Sequence, residues 1–441
     1  MEKRSPVHEI VNALWRALHD LGSNAKLADI ERWGFSIHMT LSALGREYHN
    51  HDHVVDLLAD GDPLEVISAL YHDAVYIQVD QGLPYSMKAE LGLVLAHEGE
   101  GWRILPAAAG LAGETLAVFG RKVGDIVTGA SGLNELASAL VASIQLAGSL
   151  TREQRIAISA CIEQTIPFRS DPVTPLHDRL VLLGLDGDAL DVTMRRAVRL
   201  GNRDVENFAD NEPARFLDNT WKLLPESNPV LHSPLVYTVR DYRVAIQKME
   251  GFLASLPAER VFHVWRDEPK PEAYARRVAR TTGNLELAVR YLRAKLYAIG
   301  IVEAIAEVTG GDVPVDYFMG APKVFQARTD LRRIEQFLPN LSHARDLDPP
   351  LHKLLAEGRA TESSFDTGPS PLSAFLHATV GESEVIKGLD VARMFWGGGV
   401  EASNFLASQP PRPVAAIARA AGNIIDTRRD RLFALAERLE R

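Results

Sequence analysis

Two short segments in the first part of the chain contain the residue types that bind metal ions. They are Arg46-Glu47-Tyr48-His49-Asn50-His51-Asp52-His53 and Ala69-Leu70-Tyr71-His72-Asp73-Ala74-Val75-Tyr76. If the first segment is helical, His49 and His53 lie on one face, where two imidazoles can share a metal ion or a phosphate. His72 and Asp73 point about 100° apart on a helix, so they can bind one cation only if it lies between them. Nitrogen and carboxylate ligands together suit Mn, Fe, Zn, Ni or Co.

The histidine and cysteine contents support an imidazole and carboxylate site. Half of the 14 histidines lie within the first 73 residues. The single cysteine, Cys161, cannot form an internal disulfide, so nothing indicates an oxidising compartment. Zinc-finger and iron–sulfur sites are excluded for the same reason. The seven early histidines are His8, His19, His38, His49, His51, His53 and His72.

Length and charge narrow the class of protein further. A chain of 441 residues, 46% hydrophobic and 24% charged, predicts a soluble protein with two domains as the default and three within the usual size range. Its 48 basic and 58 acidic residues give a net charge of −10, which disfavours broad nucleic-acid or anionic-membrane binding. Residues 1–20 lack the apolar core of a signal peptide. The apolar run 123–150 is interrupted by Asp125, Asn134 and Glu135, which predicts a buried helix and a cytoplasmic protein without a membrane span.

Helical periodicity dominates the chain and predicts an all-α fold. Only residues 101–105 and 260–264 resemble strands, and neither has a convincing partner. A cluster of Pro and Asn residues predicts a boundary near residue 230, and residues 339–371 are expected to form a long loop. The helical patterns span residues 7–21, 62–79, 133–147, 151–165, 190–208, 238–256, 272–308 and 414–439.

The two metal-binding segments resemble the HD-domain superfamily, and in particular bacterial predicted metal-dependent HD phosphohydrolases. That branch has an Arg-x-Tyr-His-x-x-x-His segment, then an apolar helix ending in His-Asp-x-x-Tyr, and finally an Asp on a later helix. The candidate for the last residue is Asp204, within an apolar helical pattern. The resemblance covers residues 5–250, and residues 250–441 resemble no family known to us. The residues that match the two motifs are Arg46, Tyr48, His49, His53, His72, Asp73 and Tyr76.

With the boundary near residue 230, the resemblance implies an HD-like helical domain over residues 1–230, and helical periodicity predicts an additional helical region of unknown role over 231–441. It implies one divalent transition metal ion bound by His53, His72, Asp73 and Asp204. A metal-bound water would then hydrolyse a small phosphorylated metabolite or nucleotide. Asp73 would also contact that water, while His49 or Arg46 would contact the substrate or orient a ligand. The helix 156–165 contains no histidine, which favours one metal ion over two.

Two other functions fit the same motifs. One is an iron-dependent oxygenase, because the superfamily also contains such enzymes and a fold does not determine a reaction. The other is a catalytically silent HD module for ligand sensing or protein assembly. In either case the apolar stripe of the last helical pattern is core or a contact for self-association.

Several residues have a structural interpretation beside the functional one. Asp204 could belong to a polar, exposed helix face together with Asn202, Glu206 and Asp210, and Glu163 is expected to pair with Arg169. His51 is expected to be solvated. A later group of basic residues is expected to form a solvated helix face rather than a phosphate site: Arg276, Arg277, Arg280, Arg290, Arg293 and Lys295. The consecutive glycines Gly397, Gly398 and Gly399 are expected to end a helix.

Overall fold

The fold is known from a computed structural model, which describes residues 5–59, 61–232, 236–320, 332–361, 366 and 368–441. The described chain is mostly helical, as predicted, with one small sheet. It forms two compact units. The first comprises the chain up to Ala209 together with Pro257–Thr281, and the second comprises Asp210–Leu256 together with Thr282–Arg441. The boundary expected near residue 230 lies inside the second unit.

The first unit contains the segments with metal-binding residues. Helix starts follow local sequence signals: Pro6 opens the first helix, and Thr151 and Gln154 form the capping box of the ninth. Its helices are α1 (Pro6–Asp20), α2 (Leu27–Leu41), α3 (His51–Leu57), α4 (Pro63–His72), α5 (Ile77–Asp80), α6 (Lys88–Val94), α7 (Ala107–Val118), α8 (Leu133–Leu146), α9 (Arg152–Gln164), α10 (Val173–Leu182) and α11 (Gly187–Asp204).

A three-stranded antiparallel sheet corrects the all-α prediction. Strands β1 (Leu95–Glu98), β2 (Gly101–Ile104) and β3 (Ile126–Val127) pair in that order. The strand candidate at 101–105 is therefore confirmed, but its two partners are too short to show an alternating pattern. The candidate at 260–264 is wrong: a 3₁₀ turn occupies Ala258–Arg260, and no strand follows it within the described residues.

Helix α4 lies in the middle of the first unit, against α1, α8, α9 and α11. Most of its apolar residues, among them Ile67, Ala69 and Leu70, are fully buried, which fits its strongly hydrophobic sequence. At the crossing of α9 and α11, a side chain on Gly201 would come within 2.7 Å of the Gln164 carbonyl oxygen. The two helices can approach this closely only because residue 201 has no side chain.

Ion pairs also fasten α11 to α4. The Arg199 and Arg203 guanidinium groups lie 2.6 Å and 3.1 Å from the two carboxylate oxygens of Glu65, which is 1% exposed. Arg196 pairs with Asp62, the residue that caps the start of α4. Because these arginines recur every three or four residues, they occupy one face of α11. They hold the end of α11 in a fixed position against α4.

The second unit is also helical within its described residues. Residues 339–371, expected to be a loop, contain the helix Pro349–Glu357. The Asp348 side chain caps its start by accepting a hydrogen bond from the Leu351 N–H, and Pro349 and Pro350 suit the first turn of a helix. Residues 362–365 and 367 of that stretch, and Pro234 of the expected boundary, lie outside the described residues. The helices are α12 (Pro213–Ser227), α13 (Val239–Ser255), α14 (Pro271–Thr309, which begins in the first unit), α15 (Val315–Met319), α16 (Pro349–Glu357), α17 (Pro371–Val380), α18 (Glu382–Trp396), α19 (Ala402–Ala407), α20 (Pro411–Gly422) and α21 (Arg429–Glu440).

None of the helices in the described ranges is both long enough and apolar enough to cross a membrane.

Candidate metal centre

Four side chains of the first unit meet at one point. The ligand atoms of His53, His72, Asp73 and Asp204 all lie within 4.8 Å of one another. The His72 Nε2 atom is 2.9 Å from Asp73 Oδ2 and 3.3 Å from Asp204 Oδ1, while His53 Nε2 is 3.0 Å from Asp204 Oδ1. These are the four residues proposed from the sequence as metal ligands, and the structure brings them together.

Helix α3 positions His53. The Asn50 side chain caps this helix by accepting hydrogen bonds from the backbone N–H groups of Asp52 and His53. The helix therefore begins at His51, so His49 lies outside it and the condition under which His49 and His53 would share a helix face is not met. His49 precedes the cap, and its ring centroid lies 5.9 Å from that of His53 and 4.8 Å from that of Tyr76. It thus borders the four-residue cluster without belonging to it.

Helix α4 ends at the cluster and orients His72. The His72 Nδ1 atom lies 2.7 Å from the carbonyl oxygen of Ala69, one turn earlier. A carbonyl accepts only from an N–H, so Nδ1 carries the proton and neutral His72 presents the lone pair of Nε2. Asp73 is the next residue and leaves the helical conformation, with φ −107° and ψ 14°. This change of direction lets neighbouring side chains reach the same point.

Asp204 is the last residue of α11 and is 14% exposed at its side chain. The alternative of an exposed polar face is wrong for Asp204 and for Asn202. The Asn202 side chain is buried, donates to the His263 carbonyl oxygen at 2.9 Å and accepts from the His263 N–H at 2.8 Å. The ion pairs between α11 and α4 therefore hold a residue that points inward.

Arg46 contacts the backbone of the cluster residue Asp73 and the turn that follows it. Its guanidinium donates to both carboxylate oxygens of Asp80, at 2.9 Å and 2.6 Å, and to the backbone carbonyl of Asp73 at 2.6 Å. The Arg46 side chain is fully buried. Asp80 also accepts from the Tyr76 N–H at 3.2 Å, so this pair fixes the turn that follows the His-Asp dipeptide. Of the two roles expected for Arg46, the contacts match the orienting one.

The charges in the cluster are strongly interdependent. Burial opposes a charge on His72, but the carboxylates of Asp73 and Asp204 outweigh it and raise the pKa of His72 well above its usual value. Burial likewise opposes charge on Asp73 and Asp204. The neighbouring histidines, His72 foremost, overcome it and lower the pKa of Asp73, and that of Asp204 to about 2. Without a metal ion, the site is therefore held by an imidazolium between two carboxylates.

The donor set fits a divalent transition metal ion. His72 Nε2 and Asp73 Oδ2 are buried and lie 2.9 Å apart, and outside the cluster neither atom has a hydrogen-bond partner in the described chain. When His72 is neutral, its Nε2 lone pair faces the carboxylate oxygen unpaired, which costs free energy, and a cation between the two atoms satisfies both. Two imidazoles and two carboxylates are borderline ligands that suit Mn, Fe, Zn, Ni or Co.

One acidic residue near the cluster was missed by the sequence motifs. Burial, together with the charges of Asp73 and Asp204, raises the pKa of Glu135 to about 7. Glu135 lies on α8. This helix contacts the turn after the His-Asp pair, because the Ser138 hydroxyl accepts a hydrogen bond from the Val75 N–H at 3.0 Å. The signal for this residue was the polar interruption of the apolar run 123–150.

Most other residues considered from the sequence have structural partners. Glu163 accepts from Arg169 at 2.7 Å and from Arg179 at 2.6 Å, which confirms the expected buried pair. His51 lies 3.0 Å from its neighbour Asp52, and Arg277 pairs with Glu206 at 2.8 Å. The three glycines at 397–399 directly follow α18, as a helix stop requires.

Comparison of the chain with protein-family models, with curated proteins and with solved structures found no match.

Proposed function

We propose that the first unit is a metal-dependent phosphohydrolase of the HD-domain superfamily that acts on a small phosphorylated metabolite or nucleotide. The observation that carries this proposal is the convergence of His53, His72, Asp73 and Asp204. Three of these residues come from the two motifs that resemble the family, and the fourth comes from a later helix, as the resemblance implies. The buried Nε2 and Oδ2 atoms of the His-Asp pair, which have no hydrogen-bond partner outside the cluster in the described chain, support a cation at this point.

A divalent cation at such a site lowers the pKa of a coordinated water to about 7 and neutralises charge on phosphoryl oxygens. The residues of the chain supply the rest. His72 is held in one tautomer by the Ala69 carbonyl, and Arg46 fixes the backbone of Asp73. Glu135, with its pKa near 7, can carry a proton to the leaving oxygen of the substrate.

The charge of the protein agrees with this arrangement. The chain has a net charge of −10, and Arg46, the only cation hydrogen-bonded to the turn after the cluster in the described structure, is already bound to Asp80. An anionic substrate therefore needs positive charge from a bound metal ion to approach two carboxylates.

The test is metal analysis of the purified full chain, followed by phosphate release from a generic aryl phosphate. The test variant is His72→Ala with Asp73→Ala. The control is His19→Ala with Asp20→Ala, a second His-Asp dipeptide that is exposed at the end of α1. We expect about one metal ion per chain and metal-dependent hydrolysis, both lost in the test variant and kept in the control.

Two other results would contradict the proposal. Bound iron with oxygen uptake and without phosphate release would favour an oxygenase. Absence of bound metal, with identical behaviour of the wild type and the test variant, would leave a catalytically silent module.

A further inference from the structure

The second unit contains a small cavity, lined by apolar residues and a few buried charged and polar ones, that the proposed hydrolase does not use. Its volume is about 70 Å³, and the described residues that line it all belong to the second unit. A single water needs about 10–15 Å³ of such volume, so the space holds roughly five to seven non-hydrogen atoms. Residues whose charges and contacts define its chemistry are Lys295, Asp316, Arg333, Asp366, Ser370, Leu372 and Ser373.

Lys295 brings a buried positive charge to the cavity. It is 5% exposed, and its Nζ atom donates to Asp366 Oδ2 at 3.0 Å and to Ser370 Oγ at 3.0 Å. An ammonium group has three N–H donors, and no other residue in the described part of the chain accepts the third. The side chain is fixed by its position over the rings of Trp221 and Tyr242, at 4.9 Å and 5.5 Å.

Helix α17 begins at the same cavity, and backbone N–H groups in its first turn have no acceptor within the helix. No side chain caps this ten-residue helix, because the hydroxyl of Ser370 is bound to Lys295 and Tyr291 instead. The N–H groups of Leu372 and Ser373 in its first turn therefore have no intrahelical acceptor. The Ser373 side chain also lines the cavity, is 5% exposed and makes no hydrogen bond within the described residues.

Asp316 provides an unused acceptor. Its Oδ2 atom is buried and has no hydrogen-bond partner in the described structure. Burial is the main cause that raises the pKa of this carboxyl to about 6, so it is ionised at neutral pH. The cavity thus presents several donors without acceptors together with one acceptor without a donor.

We propose that this cavity binds a small metabolite that carries both a carboxylate and a hydrogen-bond donor, as an α-amino or α-hydroxy acid does. The carboxylate accepts from Lys295, from Ser373 and from the start of α17, where the helix dipole also favours negative charge. The ammonium or hydroxyl group donates to Asp316.

The experiment measures binding to the full chain by calorimetry and by ligand-observed NMR with five probes. Glycine, L-alanine and L-lactate contain both groups, propionate lacks the donor, and ethanolamine lacks the carboxylate. We expect saturable binding of at least one of the first three probes. Propionate and ethanolamine should bind about tenfold more weakly, because each leaves a buried polar group unpaired.

Three variants and a control locate the binding. Ser373→Ala removes one hydroxyl and should weaken binding about fivefold, and Asp316→Asn should weaken the amino acids more than lactate. Lys295→Met should abolish binding, but it also breaks a buried ion pair, so the first two variants carry the test if it does not fold. Thr379→Ala, at the other end of α17, should bind as the wild type does.

A cavity that holds water alone would show no saturable binding of any probe, which would overturn the proposal. Binding that Ser373→Ala and Asp316→Asn leave unchanged would also overturn it, because the ligand would then lie elsewhere.

Discussion

The Nε2 atom of His53 lies 3.0 Å from Oδ1 of Asp204, although 151 residues separate the two in the chain. The fold of the first unit brings them together by holding the end of α11 against α4. The Glu65 carboxylate anchors two arginines of α11, and the missing side chain of Gly201 lets α11 approach α9. The proposed metal centre therefore depends on contacts that lie outside it.

Asp204→Asn tests whether this residue is a ligand. The amide keeps the shape of the side chain but loses the charge, so we expect metal affinity to fall by more than about 100-fold with the fold retained. Metal content after dialysis and circular dichroism measure the two effects. Glu206→Gln, two residues further along, removes a carboxylate outside the cluster and should keep its metal. Equal metal content in both variants would remove Asp204 from the ligand set.

The raised pKa of His72 predicts that metal binding releases a proton. The carboxylates of Asp73 and Asp204 outweigh the effect of burial, so His72 is protonated at neutral pH in the metal-free protein. A metal ion must displace this proton, and its affinity should rise by up to about tenfold per pH unit between pH 6 and 8. Calorimetry in two buffers of different ionisation enthalpy measures the released proton. A binding enthalpy that is the same in both buffers would contradict this prediction.

The same charges make the stability of the metal-free protein depend on pH. A raised folded pKa means that His72 stabilises the fold fully below about pH 6.5 and less as the pH rises through the folded value. Asp204, whose pKa is lowered to about 2, stabilises the fold above about pH 4 and loses that effect as the pH falls towards 2. The metal-free cluster should therefore be most stabilising between these limits, as urea unfolding at several pH values can measure.

Arg46→Lys tests whether the orienting contacts matter. Lysine keeps the positive charge but cannot bond both oxygens of Asp80 and the Asp73 carbonyl at once. We expect metal affinity to fall about 10- to 100-fold, and stability to fall by up to about 3–5 kcal/mol, the cost of breaking a buried ion pair. Arg32→Lys alters an exposed pair with Asp29 and should change neither quantity. Unchanged metal affinity in the Arg46 variant would assign the arginine to stability alone.

Gly201→Ala tests the close approach of α11 to α9. The new methyl group would lie 2.7 Å from the Gln164 carbonyl oxygen, so α11 must shift. We expect a loss of about 1–3 kcal/mol in the free energy of unfolding and weaker metal binding, because Asp204 lies on the same helix. Gly92→Ala, on α6, has open space around it and should be neutral or slightly stabilising. If the Gly201→Ala variant binds metal as tightly as the wild type, the position of Asp204 does not depend on the close crossing of α11 and α9.

Glu135→Gln tests the general acid. Burial raises the pKa of Glu135 to about 7, so the protonated form predominates below that value. A bound cation lowers the pKa of Glu135. In the wild type, kcat/KM should therefore begin to decline at a pH of about 7 or lower and continue to fall as the pH rises. The variant should lose this decline and about 100-fold or more in rate. Glu153→Gln, at the exposed start of α9, serves as the control, and a variant with the wild-type pH profile would exclude the proton-transfer role.

The helical fold could be predicted from the sequence because its signal is periodic. The four residues of the proposed ligand set came instead from the resemblance of two local motifs to a known family, with Asp204 chosen inside a helical pattern predicted to extend to residue 208. The start of α3 was missed because the Asn50 side chain competes with a helical backbone at His49. Glu135 was missed because its environment comes from residues distant in the chain, Asp73 and Asp204, and no spacing rule joins them.

The interleaving of the two units has a consequence for biosynthesis. Residues 257–281 return to the first unit, where the His263 backbone bonds Asn202 and the Trp265 indole donates to Asp191 at 2.8 Å. Domains generally fold from the N-terminus as the chain leaves the ribosome. Here the first unit cannot be completed until a stretch of the second has already emerged. We therefore expect a nascent chain released at residue 209 to leave this surface of α11 uncovered, and to need the returning segment, supplied in cis, to close it.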